Sequence, residues 1–199
     1  MAGITCDERR NCNDTALGCF GVAYVFEQRA KPLALAQKVL AFTSLLGPVS
    51  VGALVLTVGT SSTLIPIMVW FAGAASLTQT VIALWSLSAK WTDSLAYYVE
   101  SKADNYFLAT QLRSLADDTA KSQNAWRTEF AVLETSVRHR TNLDLRVGLT
   151  DEEKRMAMRA ALREYERPCA ACQNVPTSLK SEVCDVCGNF KRRRLKWLV

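Results

Sequence analysis

One continuous stretch of the chain, residues 39–89, contains no Asp, Glu, Lys, Arg or His. All 24 Lys and Arg and all 19 Asp and Glu of the 199 residues lie outside it. A soluble domain rarely leaves so long a segment uncharged and mostly apolar, because its surface helices need a polar face. The stretch therefore excludes an ordinary soluble globular domain, and the apolar content of the chain excludes a disordered one.

The length of this stretch predicts two membrane spans. A spanning helix needs about 20 apolar residues, so the stretch is too long for one span and fits two. The polar, turn-forming residues 59–63 divide it into spans over 39–58 and 64–87. Basic residues flank the pair, whereas the connecting loop is uncharged, which predicts that both termini are cytoplasmic. The alternative is a buried hairpin within a soluble bundle.

Small and polar residues recur along the second predicted span at intervals of three and four. This spacing places them on one side of a helix. Such a stripe serves either the close packing of membrane helices or the lining of a water-filled path through an oligomer. The candidate pore-lining residues are Gly73, Ser76, Gln79, Thr80 and Ala83.

The segments on either side of the spans have helical periodicity. Residues 14–38 form one predicted helix, with Pro32 as a kink or boundary. The helix of the second span can continue into a cytoplasmic helix, and a second helix follows around Trp126. Thr150 opens a third helix with a capping box, and Pro168 ends it.

The predicted fold is an all-α membrane protein in four parts. These are an N-terminal cytoplasmic or interfacial helix (1–38), a transmembrane hairpin (39–89), a cytoplasmic helical bundle (90–168), and a small zinc-binding CxxC module with a basic tail (169–199).

Four cysteines near the C-terminus form two CxxC pairs separated by eleven residues: Cys169, Cys172, Cys184 and Cys187. Four thiolates at this spacing are typical of a structural Zn²⁺ site. Gly188 follows the second pair and allows its turn to close. A redox or disulfide pair is the alternative, although disulfides are rare in the cytoplasm. The three other cysteines, Cys6, Cys12 and Cys19, are free thiols or part of a second metal site across subunits.

Residues 169–199 carry most of the chain's net charge of +5. Clustered cations beside an aromatic residue favour phosphate binding with base stacking. Binding to anionic lipid and a purely topological role are alternatives. A second basic cluster lies at residues 138–146. The candidate ligand-binding residues are Arg138, Arg140, Arg146, Lys191, Arg192, Arg193, Arg194, Lys196 and Trp197.

The sequence carries no enzyme signature. It contains no Gly-rich phosphate loop, no HExxH motif and no nucleophile elbow, and it has a single histidine. The chain is therefore predicted not to be an enzyme.

Two families share these features. The two-span hairpin with a helical extension, residues 14–145, resembles the SLATT family of bacterial conflict-system effectors. The cysteine spacing of residues 169–188 resembles that of the mobilome CxxC-x11-CxxC proteins, which are encoded on mobile elements. Together they resemble the membrane effector of nucleotidyltransferase-linked anti-phage systems such as Hailong.

The resemblance implies a mechanism. Effectors of this kind oligomerise into pores of the bacterial inner membrane, gated by a nucleotide or single-stranded DNA oligomer that a partner nucleotidyltransferase makes. Release of the pore depolarises the membrane and aborts infection. Two spans cannot enclose a pore, so several copies are needed, and a tetramer is the working expectation. The alternatives are a non-conducting membrane adaptor and a membrane-tethered nucleic-acid-binding regulator.

Overall fold

The computed structural model describes residues 4–58 and 65–191. In this part of the chain the structure is all-helical, without a strand. The helices are α1 Cys6–Val58, α2 Ile65–Ser88, α3 Trp91–Asp117, α4 Gln123–Asp144 and α5 Asp151–Glu164. The chain divides into one unit of Met1–Arg29 with Tyr98–Val199, and a second unit of Ala30–Tyr97.

The first unit is a helical bundle followed by a small module that carries four cysteines. Its core joins the N-terminal part of α1 to α3 and α4 through a buried cluster that includes Ala16, Leu112 and Trp126. The indole nitrogen of Trp126 donates to the backbone oxygen of Leu115 at 2.8 Å, so this large ring is buried without an unsatisfied polar atom. The N-terminal part of α1 therefore contributes to the core of the bundle.

Helix α1 differs from its prediction at both of the positions that the sequence marked. It begins at Cys6 rather than near residue 14, because Thr5 and Glu8 form a capping box: Thr5 N donates to Glu8 Oε2 at 2.8 Å, and Glu8 N donates to Thr5 Oγ1 at 3.2 Å. It also continues through Pro32, where a kink or a boundary was predicted, so Pro32 is not a boundary. A proline costs a helix one hydrogen bond, which the packing of a long helix can offset.

The helices from α2 onward agree in part with prediction. Helices α2 and α3 are separate rather than continuous, because Lys90 between them has φ of 50°, in the left-handed region. The predicted helix around Trp126 is confirmed as α4. The capping box at Thr150 is confirmed as the start of α5, which ends at Glu164, ahead of Pro168.

The second unit contains the uncharged stretch. Among the described residues one segment, Val69–Leu87 in α2, is long and apolar enough to cross a bilayer, and none of it is buried within the chain. Its large side chains are exposed, Trp70 to 81%. The first predicted span coincides with the end of α1, but most of its side chains lie outside the described residues, as does the predicted loop 59–63.

A buried ion pair connects α1 to α5 within the first unit. Arg29 Nη2 and Nε lie 2.7 and 2.9 Å from the two carboxylate oxygens of Glu153, and both side chains are less than a tenth exposed, at 7% and 8%. Burial acts to raise the pKa of Glu153, but the hydrogen bonds from Arg29 and from the backbone of Thr150 outweigh it and hold this pKa below its ordinary value of 4.5.

We expect Glu153→Gln to destabilise the bundle by about 3–5 kcal/mol at neutral pH, because it leaves the Arg29 charge buried without its counter-ion. Since the folded pKa of Glu153 is depressed, its contribution is present above 4.5 and is lost as the pH falls through the folded value. Unfolding curves at pH 7 and below 4.5 measure both effects. Glu134→Gln is the control, because the Glu134–Arg138 pair is exposed; equal losses in the two variants would contradict the prediction.

Candidate metal centre

Two tight turns after α5 carry the four C-terminal cysteines. The chain leaves the helix at Glu166, which has a left-handed φ of 49°. In the first turn the backbone nitrogen of Gln173 donates to the carbonyl of Cys169 at 2.9 Å. In the second turn the nitrogens of Gly188 and Asn189 donate to the carbonyl of Cys184 at 2.7 and 2.8 Å. Each CxxC pair therefore has its backbone fixed by local hydrogen bonds.

The four sulfur atoms converge on one point. All four Sγ atoms lie within 4.8 Å of one another. Cys169 Sγ is 4.0 Å from Cys184 Sγ, and Cys172 Sγ is 3.8 Å from Cys187 Sγ. A tetrahedral site with metal–sulfur bonds of about 2.3 Å places its sulfurs about 3.8 Å apart, whereas a disulfide requires about 2.05 Å. The donor set thus fits a thiolate-bound metal ion, and the cysteines are free rather than disulfide-bonded.

Burial differs between the two members of each pair. Cys169 and Cys187 are 0% and 1% exposed, whereas Cys172 and Cys184 are half-buried. The backbone N–H groups of Cys187 and Val186 lower the pKa of the Cys184 thiol to about 7, because they stabilise its thiolate. Burial, followed by the neighbouring sulfurs, raises the pKa of Cys187. Four thiolates held this close together repel one another, and a bound cation would offset that repulsion.

Gly188 closes the second turn because there is no room for a side chain. A Cβ atom on this residue would lie 2.5 Å from the carbonyl oxygen of Glu182 and 2.9 Å from the nitrogen of Cys184. Both neighbours are backbone atoms, which cannot move aside without opening the turn. Gly188 therefore allows the second turn to close, as predicted, because the backbone atoms of Glu182 and Cys184 lie too near for a side chain.

The segment of residues 169–190 that carries the four cysteines, called here the metal-binding module, packs on helices α1 and α5. Cys169 and Cys187 share a buried apolar cluster with Leu17 of α1 and with Ala161 and Leu162 of α5. The side chain of Arg159 in α5 also donates to this module, to the backbone oxygen of Ser178 at 2.7 Å. Sequence reasoning missed Arg159, since nothing in the pattern distinguished it from the neighbouring arginines of the same helix.

One of the predicted ligand-binding arginines, Arg140, is buried. Arg140 is 4% exposed, and it contacts Asp144, Glu100 and Asp104 at 3.1, 3.2 and 2.9 Å. Its charge is occupied by these carboxylates, so its predicted role as a ligand contact is replaced by a structural one. The solvent-exposed candidates among the described residues are Arg138, Arg146 and Lys191. Arg192, Arg193, Arg194, Lys196 and Trp197 lie outside the described residues.

The predicted pore-lining stripe lies on α2. Gly73, Ser76, Thr80 and Ala83 are exposed, and Gln79 is half-buried. The hydroxyl of Thr80 donates to the Ser76 carbonyl at 2.8 Å, so its polar group is satisfied within the helix. The small and polar residues of the stripe are thus accessible on the surface of α2.

The three N-terminal cysteines have different environments. Cys12 and Cys19 are buried in the bundle core, where burial raises the pKa of each thiol to about 11. Cys12 Sγ donates to the carbonyl of Leu112 at 3.1 Å. Cys6 is exposed. None of these three cysteines forms a disulfide, and the two inside the core pack among its apolar side chains.

A family model described as "Mobilome CxxCx(11)CxxC protein" matches residues 9–190. The match covers the bundle, the uncharged stretch and the cysteine module. Neither a curated protein nor a solved structure matches the chain. The spacing of the two CxxC pairs, the convergence of their sulfurs and the length of this match together place the chain in the family of mobilome CxxCx(11)CxxC proteins.

Proposed function

We propose that this protein is a membrane-embedded, non-enzymatic effector whose helical bundle and zinc module lie in the cytoplasm. The observation that carries the proposal is the segment Val69–Leu87, which is apolar and uncharged and has no residue buried within the chain. The first unit buries large apolar residues such as Phe26 and Leu112, whereas α2 exposes its own, with Trp70 at 81% and Phe71 at 76%. An exposed apolar helix of 19 residues is unfavourable in water, whereas the hydrocarbon core of a lipid bilayer accommodates it.

The finer topology follows from the charge distribution. Two spans, 39–58 and 64–87, would keep both basic flanks on the cytoplasmic side of the bacterial inner membrane. The bundle and the module would then share a reducing compartment, where four free thiols persist. We assign Zn²⁺ as the metal, because a closed set of four thiolates is its usual structural site.

The activity we propose is that of an oligomeric pore. Identical hairpins around a closed symmetry axis, four in the working arrangement, would bring together the stripe of Gly73, Ser76, Gln79, Thr80 and Ala83. By resemblance to SLATT effectors and to Hailong-type anti-phage systems, a nucleotide or DNA oligomer from a partner nucleotidyltransferase would gate it. The exposed Arg138, Arg146 and Lys191, with the cationic residues that follow Lys191, are the proposed ligand contacts.

Ion flux from liposomes that contain the purified full chain tests the pore. The informative variants are Thr80→Trp on the stripe and Thr78→Trp on the opposite face of α2. Both threonines are exposed, and each hydroxyl donates to a carbonyl four residues earlier, at 2.8 and 2.9 Å. We expect flux from the wild type and from Thr78→Trp, and strong inhibition in Thr80→Trp.

Three results would count against this proposal. Equal inhibition by both tryptophans would show that the stripe lines no path. Absence of flux in the wild type, with and without single-stranded DNA oligomers and with the protein verified in the bilayer, would favour the non-conducting adaptor. Retention of function by a fragment without the hairpin would favour the tethered nucleic-acid-binding regulator.

A further inference from the structure

The side chain of Arg159 in α5 donates hydrogen bonds to three acceptors in the metal-binding module. Its Nε donates to the carbonyl of Ser178 at 2.7 Å, and its Nη1 donates to the carbonyl of Cys187 at 3.4 Å. Its Nη2 donates to the carboxylate of Glu182. The three acceptors come from the loop between the two CxxC pairs and from a metal-binding cysteine itself. One guanidinium thus connects the helix to the module at three points.

Because Arg159 is buried, its charge depends on these contacts for stabilisation. Its side chain is 1% exposed, whereas that of its partner Glu182 is 61% exposed. A buried guanidinium is stable only while its partners remain in place. Two of those partners are backbone carbonyls, of Ser178 and Cys187, whose positions exist only while the loop is folded. Small thiolate modules fold together with their metal.

From this geometry we infer that Arg159 couples metal binding to the folding of α5. When the metal is present, the folded loop supplies the acceptors that hold the guanidinium and, with it, the helix. When the metal is lost, the acceptors disperse and Arg159 must leave the interior for water. Six residues earlier on the same helix, Glu153 forms the buried ion pair with Arg29 of α1. Loss of metal therefore weakens the helix that holds this pair.

A second arginine of α5 provides a matched control. Arg155, one turn earlier, also donates to a carbonyl of the module, that of Asn189, at 3.0 Å. This hydrogen bond is exposed, so water can replace the lost partner at little cost. Arg155→Leu and Arg159→Leu remove the same charge from the same helix, and they differ in burial.

The test is hydrogen exchange of the backbone amides of Asp151–Glu164 in the full chain, with Zn²⁺ bound and after chelation. In the wild type and in Arg155→Leu we expect chelation to raise exchange by roughly tenfold or more. In Arg159→Leu we expect a change of less than about threefold, while zinc content measured before chelation stays near one per chain. Glu182→Gln is the gentler variant, since it alters an exposed module side chain and leaves the bundle intact.

The outcomes are distinct. An Arg159→Leu helix that still loses protection fully on chelation would overturn the inference and assign the coupling to the apolar cluster around Ala161 and Leu162. If Arg159→Leu fails to fold, Glu182→Gln decides: an unchanged response to chelation would count against the inference, and a reduced response would support it. The readout does not depend on the proposed membrane activity, so the two proposals stand or fall separately.

Discussion

Replacement of Cys187 by serine is expected to reduce bound zinc from about one ion per chain to near zero, because closed structural sites need all four thiolates to fold around the metal. Cys187 is 1% exposed and its Sγ lies 3.8 Å from that of Cys172. The serine hydroxyl is a poor zinc ligand, and it would also be left buried at the contact between module and helices. Metal analysis of the purified variant measures the effect.

Cys6→Ser is the control for this prediction. Cys6 is exposed and does not belong to the group of four sulfurs, so its variant should keep the full metal content. Unchanged zinc in Cys187→Ser would show that the cluster does not hold the metal. Equal loss in both variants would indicate a general sensitivity of the fold to cysteine replacement.

Introduction of a charge into the middle of the exposed apolar helix is expected to have the second large effect. Val81 lies within Val69–Leu87 and is 59% exposed. An arginine at the centre of a spanning helix costs about 2.5–3.5 kcal/mol on insertion scales, a factor of roughly one hundred or more in the membrane-inserted fraction. Val81→Arg should therefore shift the full chain from the membrane fraction toward soluble or degraded protein, as measured by carbonate extraction.

Val132 in α4 provides a matched control for Val81. Both are helical valines, and Val132 is 61% exposed. An arginine side chain therefore has similar space within the chain at both positions. If α2 spans a bilayer, Val132→Arg should leave membrane association unchanged. Equal behaviour of the two variants would contradict the membrane assignment, since a water-exposed surface tolerates arginine at either position.

Local sequence signals predicted the parts of this fold that depend on neighbouring residues. The capping box at Thr150 and the cysteine spacing were both readable, because each depends on residues close together in the chain. The start of α1 could also have been read, since Thr5 and Glu8 have the same capping pattern. The continuity of α1 through Pro32 was not readable, because propensity opposes it locally.

The candidate ligand-binding arginines show that a charge pattern in the sequence does not indicate which cations are exposed. Arg138 and Arg140 are two residues apart and look equivalent in the sequence. On a helix this spacing turns the side chains to different faces. Arg138 therefore projects into solvent, with 75% of its side chain exposed, while Arg140 lies inside among three carboxylates. Exposure decides which cation can meet a ligand.

By itself the sequence determined the all-helical class, the uncharged apolar stretch and a set of four cysteines suited to a metal, because period, charge and spacing are properties of the chain itself. Only the tertiary structure decided that the N-terminal part of α1 lies in the same unit as the metal module. It alone also distinguished the buried Arg159 from Arg155, whose hydrogen bond to the same module is exposed. The physical reason is that burial and long-range hydrogen bonds depend on which distant segments meet, and no local pattern encodes that choice.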